Sequence, residues 1–375
     1  MQIKTLNPTD DLRGNGFHEQ LAVVDGANRA SDTAQFRGEI LKAATTHGAV
    51  LIRGTGVESN EDFEEFIRVF DLNLVSDYLG GTSPRPAAPS VVFSSTEADA
   101  AAVITPHTEM AYLPYRPRFL CFGCLVEPTE AGETPLYPMQ RGLKALPEAV
   151  RDKLASQGLR YTRFMHKERH GWFGLQISQS WSEAFANKDK ADVERVCGEH
   201  GLETRWFGSI LRLHATLPGI VIHPESGQPC LNMYACHWRS LLYANRFLRG
   251  RRRRARMRNA VGMAAQRFPF TTFVKVGWGN GESFSKREAL EFDRTLWGHS
   301  LAHRWRKGDV LLIDNVLTAH GRLDVEPPRK VVVSMGDLYT VEKSDECAGV
   351  GTVGGAINEP GMDSPCGAVR ALSRA

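Results

Sequence analysis

The sequence holds three His-x-Glu motifs, at His107–Glu109, His166–Glu168 and His223–Glu225. Residues two apart on a β-strand point the same way, so such a pair can present an imidazole and a carboxylate to one metal ion. With 12 histidines and 43 acidic residues in the chain, chance alone would produce about one such motif. The motif therefore indicates a metal site only where its surroundings also fit.

The surroundings separate the three motifs. His166–Glu168 lies in the charged stretch MHKERHG, and His223–Glu225 lies in HPESG, which its proline and glycine mark as a turn. Both patterns are typical of exposed polar segments. His107–Glu109 lies in ITPHTEMAYL, between apolar and aromatic residues, as expected for ligands at the mouth of a β-barrel. We therefore predict that His107 and Glu109 bind the metal.

A third ligand is predicted in the distal segment KGDVLLIDNVLTAHGRLDVEPPRKVVVSMGD, which contains a turn, a buried apolar strand and then His320. Two imidazoles and one carboxylate bind one face of Fe(II) and leave positions open for other ligands. Arg329 opens the next apolar strand, where its guanidinium could bind a carboxylate bidentately inside a largely apolar pocket. Each residue alone is typical of a core histidine or a surface charge. Their joint occurrence favours a functional site.

The elements that must position these residues are mainly strands. From Ile104 onward, short apolar or alternating runs are bounded by Gly, Pro and Asn, as strands usually are. This pattern predicts a mainly β fold with helical insertions around a double-stranded β-helix, or jelly-roll, core. Helical periodicity is found in five places: Ala34–Thr46, the segment that follows Asn60 as an N-cap, Gly142–Ser156, Ser180–His200 and Lys286–Leu301.

The chain is predicted to form one domain over residues 1–340, followed by a weakly ordered tail over 341–375 that is rich in Gly and small residues. Its 42% hydrophobic and 24% charged residues are typical of a soluble globular protein. The formal charge of +3 is too small to indicate a nucleic-acid partner. No stretch approaches the roughly 18 apolar residues that span a membrane, and the N-terminus MQIKTLNPTDDLRGN lacks the apolar region of a signal peptide. Cytoplasmic residence is the default expectation.

Two further patterns are predicted to be structural. Cys121 and Cys124 form a CxxC in the apolar run FLCFGCLV, but residues three apart on a strand point to opposite faces, so core cysteines are expected. The run RGRRRRARMR, at Arg249–Arg258, has no interleaved aromatic residues. A solvated loop or helix face is favoured there over a nucleic-acid site.

These segments resemble the TauD/TfdA family of Fe(II)/2-oxoglutarate-dependent oxygenases, particularly its syringomycin-hydroxylase-like branch, which tailors amino acids and peptides in natural-product pathways. The likeness extends from about Gly48 to Met335. It rests on HTEMAYLPYRPRFLCFGCLVEPTEAGETPLYPM, on the turn HPESGQ, and on GDVLLIDNVLTAHGR with Arg329.

The resemblance implies that His107, Glu109 and His320 bind Fe(2+), with 2-oxoglutarate and O2 as cosubstrates. Arg329 and Thr134 would then hold the distal carboxylate of 2-oxoglutarate. The implied reaction is hydroxylation of an aliphatic C–H bond, although desaturation or cyclisation would use the same residues. Halogenases of this superfamily carry Gly or Ala in place of the carboxylate ligand, so Glu109 disfavours halogenation. Some members have a second arginine four residues after the first, where this chain has Val333.

The expected substrate is a free or carrier-tethered amino acid or a related small metabolite, and a homo-oligomer is compatible with the sequence. Two other functions stay open: a cupin-like metalloenzyme that does not use 2-oxoglutarate, and a non-catalytic binding protein that uses the arginine run. Five residues are predicted to face the substrate: Tyr112, Arg118, Arg212, Asn232 and Trp238.

Overall fold

The computed structural model describes most of the chain. It covers residues 2–5, 21–25, 30–75, 91–95, 100–168, 170–172, 175–178, 180–185, 188–237, 239–248, 250, 252–266, 268, 274–341 and 370–371.

Within those residues, the helices are α1 (Ala30–Gln35), α2 (Arg37–His47), α3 (Asn60–Arg68), α4 (Met139–Ala145), α5 (Glu148–Gln157), α6 (Trp181–Ala184), α7 (Lys190–Glu199), α8 (Ser240–Ala244), α9 (Arg252–Ala265) and α10 (Lys286–Gly298). The strands of the first half are β1 (Gln2–Thr5), β2 (Leu21–Asp25), β3 (Ala49–Arg53), β4 (Phe93–Ser94), β5 (Ile104–His107), β6 (Tyr115–Val126), β7 (Glu130–Ala131), β8 (Leu136–Pro138), β9 (Leu159–Met165), β10 (His170–Trp172) and β11 (Leu175–Ser178). Those of the second half are β12 (Glu203–Phe207), β13 (Ile210–Leu217), β14 (Ile220–Ile222), β15 (Pro229–Leu231), β16 (Val274–Trp278), β17 (Val310–Asp314), β18 (Thr318–Arg322), β19 (Val325–Glu326), β20 (Lys330–Thr340) and β21 (Arg370–Ala371).

Two facing sheets form the core. The larger has the order β1-β2-β3-β17-β6-β20-β21, with β4 also paired to β20, and the smaller has the order β5-β18-β8. Their neighbouring strands are antiparallel, except for the parallel pair β2 and β3. The sheets face each other, since the ring of Phe122 on β6 lies 5.1 Å from that of His320 on β18. This arrangement confirms the predicted jelly-roll core with helical insertions.

Strand β6 is buried on both faces, which explains its unbroken apolar sequence. Leu120 and Phe122 point into the apolar cluster between the two sheets, the inner cluster. Cys121 instead packs in a separate apolar cluster beneath α2 and α3, the outer cluster. Cys124 lies in the inner cluster, so the two thiols are on opposite faces of the strand. Both are free, and burial raises the pKa of each to about 12. The prediction of core cysteines is confirmed.

The helical predictions hold with local corrections. The segment Ala34–Thr46 is divided between α1 and α2 by a break at Phe36, whose backbone leaves the helical region. The N-cap of α3 is Ser59 rather than Asn60. Ser59 accepts the N–H of Asp62, and the Asp62 carboxylate accepts the N–H of Ser59, which together form a capping box.

The three predicted helical insertions are also present. Gly142–Ser156 corresponds to α4 and α5, which are separated because Leu146 precedes a proline and is extended. Ser180–His200 corresponds to α6 and α7, and Lys286–Leu301 to α10.

A further sheet, with the order β12-β13-β9-β16, lies against the inner cluster. Along β9 the buried and half-buried positions alternate strictly, as expected when one face of a sheet packs on the core. Leu159, Tyr161, Arg163 and Met165 are the buried residues. The inner face of β9 therefore carries one charged side chain among apolar and aromatic ones.

The predicted tail, residues 341–375, falls almost entirely outside the described residues. The structure describes Val341 and the short strand β21, which pairs with the end of β20. The division into a domain over 1–340 and a tail stays a prediction. Among the described helices, none combines the length and the apolar character needed to cross a membrane.

Candidate metal and cosubstrate site

The three predicted metal ligands converge on one point. β5 and β18 pair in a register that sets His107 opposite His320, and Glu109 follows two residues after His107. Oε2 of Glu109 lies 3.6 Å from Nε2 of His107 and 3.9 Å from Nε2 of His320. The two imidazole rings are 4.2 Å apart, centre to centre. Two imidazoles and a carboxylate so arranged can bind one divalent cation on a single face.

Both histidines can present a ring nitrogen to a metal. Nδ1 of His107 lies 2.9 Å from the carbonyl oxygen of Thr105, a contact that requires the proton on Nδ1 and directs Nε2 toward Glu109. Burial and the neighbouring His107 lower the pKa of His320 to about 3, so its imidazole is neutral. Neutral imidazole and ionised carboxylate are the forms that a metal ion requires.

The loop that carries Glu109 is fixed by Asn315. The Glu109 N–H donates to Oδ1 of Asn315 at 2.7 Å, and Nδ2 of Asn315 donates to the Glu109 carbonyl at 3.2 Å. The same Nδ2 lies 2.8 Å from the carbonyl oxygen of Pro117 on β6. Met110 then adopts a left-handed conformation with φ of 58°, which is uncommon for a residue other than glycine. The backbone therefore turns sharply just after the carboxylate ligand.

Arg329 and Thr134, the two residues predicted to bind 2-oxoglutarate, contact each other. Nε of Arg329 donates to the carbonyl of Gly132 at 3.0 Å, and its Nη2 lies 3.4 Å from Oγ1 of Thr134. Arg329 is only 8% exposed, and its buried Nη1 has no hydrogen-bond partner among the residues that the structure describes. Burial lowers its pKa to about 9, so the guanidinium stays charged at neutral pH. A buried, unmatched N–H of a charged group is costly and indicates an anion from outside the chain.

Arg329 and Thr134 lie beside the predicted metal ligands. On the far side of β18 from β5, Leu136 of β8 pairs with His320, and Thr134 precedes Leu136 by two residues. The chain just before Leu136 also runs alongside β18, because Gly321 of β18 donates its N–H to the carbonyl of Pro135 at 3.0 Å. The anion site is therefore about two residues of extended chain from His320, roughly 7 Å along the strand.

A second cluster also brings metal-ligating groups together: His223, Glu225 and Asp314. Here, however, Nη2 of Arg118 lies 2.6 Å from Oδ2 of Asp314 and 2.5 Å from Oε2 of Glu225. Nδ1 of His223 accepts the N–H of Ser226 at 3.1 Å, so Nε2 carries the proton and donates to Asp314 at 3.0 Å. The guanidinium occupies the place that a cation would take. This cluster is an ion-pair network.

Two predictions are corrected by this network. The turn HPESG was expected to be exposed, but His223 is 0% exposed because the turn folds back onto Asp314; Glu225 is 53% exposed. Arg118 was predicted to face the substrate, and its donors are instead bonded within the network. The other motif that was predicted to be exposed is His166–Glu168. Its histidine is half-buried and its glutamate is exposed, in agreement with that prediction.

The network fixes the turn between β17 and β18. Oδ1 of Asp314 accepts the N–H groups of Val316 at 2.9 Å and Leu317 at 3.2 Å. Asn315, in the same turn, holds the Glu109 loop, and β18 carries His320. Burial acts to raise the pKa of Asp314, but hydrogen bonds from His223 and the charge of Arg118 hold that pKa below its usual value. One ionised carboxylate thus fixes the segment that positions two metal ligands.

The remaining residues that were predicted to face the substrate differ in their positions and contacts. The ring of Tyr112 lies 6.4 Å from that of Tyr234, and the Tyr234 ring lies 5.1 Å from His107, so Tyr112 is close to the metal site. Asn232 is structural, since its Oδ1 accepts from Arg116 and its Nδ2 donates to the carbonyl of Pro218 at 2.7 Å. Trp238 lies outside the described residues.

Arg212 was predicted to face the substrate, and the strand pattern shows otherwise. Leu211 and Leu213 on β13 are buried in the inner cluster, so Arg212 between them points to the opposite face. Its guanidinium lies 5.3 Å from the ring centre of Phe207. The arginine on the inner face of this sheet is Arg163 of β9, which the sequence analysis missed. Its place in the alternation of LRYTRFM, in step with the leucine, tyrosine and methionine, is the signal that could have identified it.

Comparison with known proteins gives consistent matches. The family model described as taurine catabolism dioxygenase TauD, TfdA family, matches residues 9–335. A clavaminate synthase-like protein of Arabidopsis thaliana is 28% identical over 294 residues, which cover 77% of this chain and 81% of that protein. The dapdiamide synthesis protein DdaC of Enterobacter agglomerans is 25% identical over 325 residues, 85% of this chain and 91% of that protein.

Solved structures that align with this chain include PvcB of Pseudomonas aeruginosa, described as an Fe, alpha-ketoglutarate dependent oxygenase from an isonitrile synthetic pathway. It aligns with a TM-score of 0.48 and 14% identity, covering 87% of this chain and 90% of that one. AAD-2, solved with Mn(II) and N-oxalylglycine, aligns with a TM-score of 0.47 and 12% identity, covering 89% and 96%.

Replacement of Asp314 by Asn is expected to weaken Fe(II) binding roughly tenfold, the lower end of the effect of removing a direct partner of a metal ligand, because Asp314 acts through the turn. The amide can still accept the turn N–H groups, but it leaves the charge of Arg118 without its buried counterion. The measurement is an anaerobic Fe(II) titration, with circular dichroism to verify the fold. Glu225→Gln, at the exposed end of the network, is the matched control and should bind Fe(II) within about twofold of wild type. A folded Asp314→Asn protein with wild-type affinity would contradict the positioning role.

Proposed function

The chain belongs to the TauD, TfdA family and is an Fe(II)/2-oxoglutarate-dependent dioxygenase, and we propose that it hydroxylates an aliphatic C–H bond of an amino acid or a related small metabolite. The observation that carries the proposal is the proximity of an open-faced set of two histidines and one carboxylate to a buried arginine with an unmatched N–H. Similarity to a clavaminate synthase-like protein and to a dapdiamide synthesis protein supports a biosynthetic substrate. The cupin-like and non-catalytic alternatives are set aside, because family membership supplies the enzyme class and the cosubstrate.

In this proposal His107, Glu109 and His320 hold the iron. The donor set fits Fe(II), since imidazole and carboxylate are borderline-to-hard ligands and bind one face only. When bound, iron and 2-oxoglutarate supply O2 activation coupled to the decarboxylation of 2-oxoglutarate to succinate and CO2. The protein fixes the ligand directions through Thr105 and Asn315.

Arg329 and Thr134 are proposed to hold the distal carboxylate of 2-oxoglutarate. Oγ1 of Thr134 accepts from Nε1 of Trp305 at 3.1 Å and from Nη2 of Arg329 at 3.4 Å. Its own hydroxyl proton is then left to donate to an anion. Together with Nη1 of Arg329, this hydroxyl gives the carboxylate two donors in a buried environment, where such bonds are strong.

Arg329→Met is expected to raise the KM for 2-oxoglutarate by roughly 100-fold or more, because it removes charge-assisted bonds of about 1.5–3 kcal/mol each. The measurement is succinate formation as a function of 2-oxoglutarate concentration. Lys330→Met removes an exposed charge at the next position and serves as the control. An unchanged KM in Arg329→Met would refute the assignment of this arginine.

A carrier-tethered amino acid is the second candidate substrate, and the arginine run favours it. The described part of the run agrees with the predicted exposed helix face, since Arg252, Arg253, Arg254 and Arg256 of α9 are exposed. α9 packs on α8, and α8 packs against β5, the strand of His107. An acidic carrier protein would be complementary to this face and would be steered to it by charge.

Replacement of Arg252, Arg253 and Arg254 by Ser tests the carrier. If the carrier docks there, the KM for a carrier-bound amino acid should rise about tenfold at low salt, while kcat changes little. Replacement of Lys286, Arg287 and Arg294 on α10, also exposed, is the control. Equal turnover of the tethered substrate by the α9 variant and wild type would exclude this docking face.

A further inference from the structure

We propose that the buried pair of His237 and Asp293 positions the proposed metal ligand His107 through the backbone. The inference rests on the proposed function, because it adds two positioning residues to the proposed iron site. Three parts of the chain carry it: the segment 233–237, the helix α10 that holds this segment through Asp293, and the smaller sheet, which both of them contact.

The segment 233–237 pairs with the edge of β5 that faces away from β18. Tyr234 forms an antiparallel backbone bridge with His107. Next to this bridge, Ala235 donates its N–H to the carbonyl of Pro106 at 2.8 Å. The backbone of His107 therefore has a paired neighbour on each side, and the direction of its imidazole depends on the position of both.

His237 ends this segment and faces α10. Nε2 of His237 lies 3.2 Å from Oδ1 of Asp293, and both side chains are only 1% exposed. The ring of Phe284 lies 6.1 Å from that of His237, so the surroundings include an aromatic side chain. Burial of a carboxylate is costly unless a proton-donating or positive group faces it, and the imidazole is that group here. The pair thus joins the segment to the helix.

The same helix is joined to β8, at the opposite edge of the smaller sheet. Trp297 lies one turn after Asp293 on α10, and its ring is 5.2 Å from that of Tyr137 on β8. Just beyond the helix, Leu301 exchanges two backbone hydrogen bonds with Leu136 of β8, at 2.6 and 2.9 Å. Burial, and then the charge of Asp293, raise the pKa of Tyr137 well above its usual value. Helix α10 therefore reaches from β8 to the segment beyond β5.

This arrangement gives the pair a positional role. Leu136 pairs with His320, and Tyr234 pairs with His107, so α10 holds the neighbour of each imidazole. Apolar contacts along a helix tolerate small adjustments, whereas a buried polar pair restricts the chain to the arrangement in which its two groups meet. The pair therefore sets the position of one imidazole relative to the other and adds little to the stability of the fold.

The test replaces the pair by apolar residues, with His237→Phe and Asp293→Leu in one protein. Replacement of a buried ion pair in this way is often neutral or stabilising, so the double variant should have a Tm at or above that of wild type. Its Fe(II) affinity, from an anaerobic titration, is expected to fall about tenfold, the lower end of the effect of removing a direct partner of a metal ligand. At saturating Fe(II), the KM for 2-oxoglutarate should stay within about twofold of wild type, because Arg329 and Thr134 lie on the other side of β18.

Two single variants accompany the double variant. Asp293→Asn keeps an oxygen that can accept from His237, so it should bind Fe(II) within about threefold of wild type. His299→Phe, at the end of the same helix, is the matched control. Nδ1 of His299 bonds the carbonyl of Thr295 within that helix, at 2.8 Å, so its loss should leave Fe(II) affinity unchanged.

Wild-type Fe(II) affinity in the folded double variant would overturn the inference. An equal loss of affinity in His299→Phe, or a parallel rise in the KM for 2-oxoglutarate, would also overturn it, because either result indicates general loosening. If the double variant does not fold, His237→Asn replaces it. Its shorter amide cannot reach the carboxylate, so the same tenfold loss is expected, and wild-type affinity would contradict the positioning role.

Wild-type protein in the same titration separates this inference from the proposed function. Binding of one Fe(II) by wild type, together with unchanged affinity in the double variant, would leave the proposed function standing and refute only the role of the pair. Absence of Fe(II) binding by wild type would refute both.

Discussion

Antiparallel pairing of β5 with β18 sets His107 directly opposite His320, and the candidate metal site is built around that register. Because side chains alternate on a strand, a slip of one residue would turn one imidazole to the opposite face of the sheet. The register is held from both sides, since β18 also pairs with β8. That second pairing places Thr134 about two residues along the strand from His320. Strand register therefore links the proposed iron ligands to the proposed 2-oxoglutarate site.

Buried charge explains how the rest of the site is held. Arg118 and Asp314 neutralise each other within the chain, and the ionised Asp314 fixes the turn that leads into β18. Arg329 is buried to a similar degree, yet one of its nitrogens has no hydrogen-bond partner within the described part of the chain. A buried charge that is satisfied internally supports the architecture, whereas one that is left unsatisfied indicates a ligand. This contrast separates a structural arginine from a binding one.

The sequence predicted the parts of the candidate site that depend on strand periodicity and local context. It singled out His107, Glu109 and His320 because an apolar setting and a remote histidine favoured one His-x-Glu motif of three, and the structure brings these three side chains together. The errors arose where tertiary packing overrides local pattern. His223 lies in a polar turn that folds over a buried carboxylate, and no local signal reveals that contact. Arg212 was predicted to face the substrate from its residue type, without the strand alternation that points it away from the buried Leu211 and Leu213.

An anaerobic titration with Fe(II) in the presence of 2-oxoglutarate tests the central claim most directly. Chelation of iron by 2-oxoglutarate gives a weak visible metal-to-ligand charge-transfer band, which should saturate at about one iron per chain, as one facial triad requires. The band should be lost in His320→Ala while circular dichroism shows a folded protein. A band that persists in folded His320→Ala, or that never forms in wild type, would contradict the account.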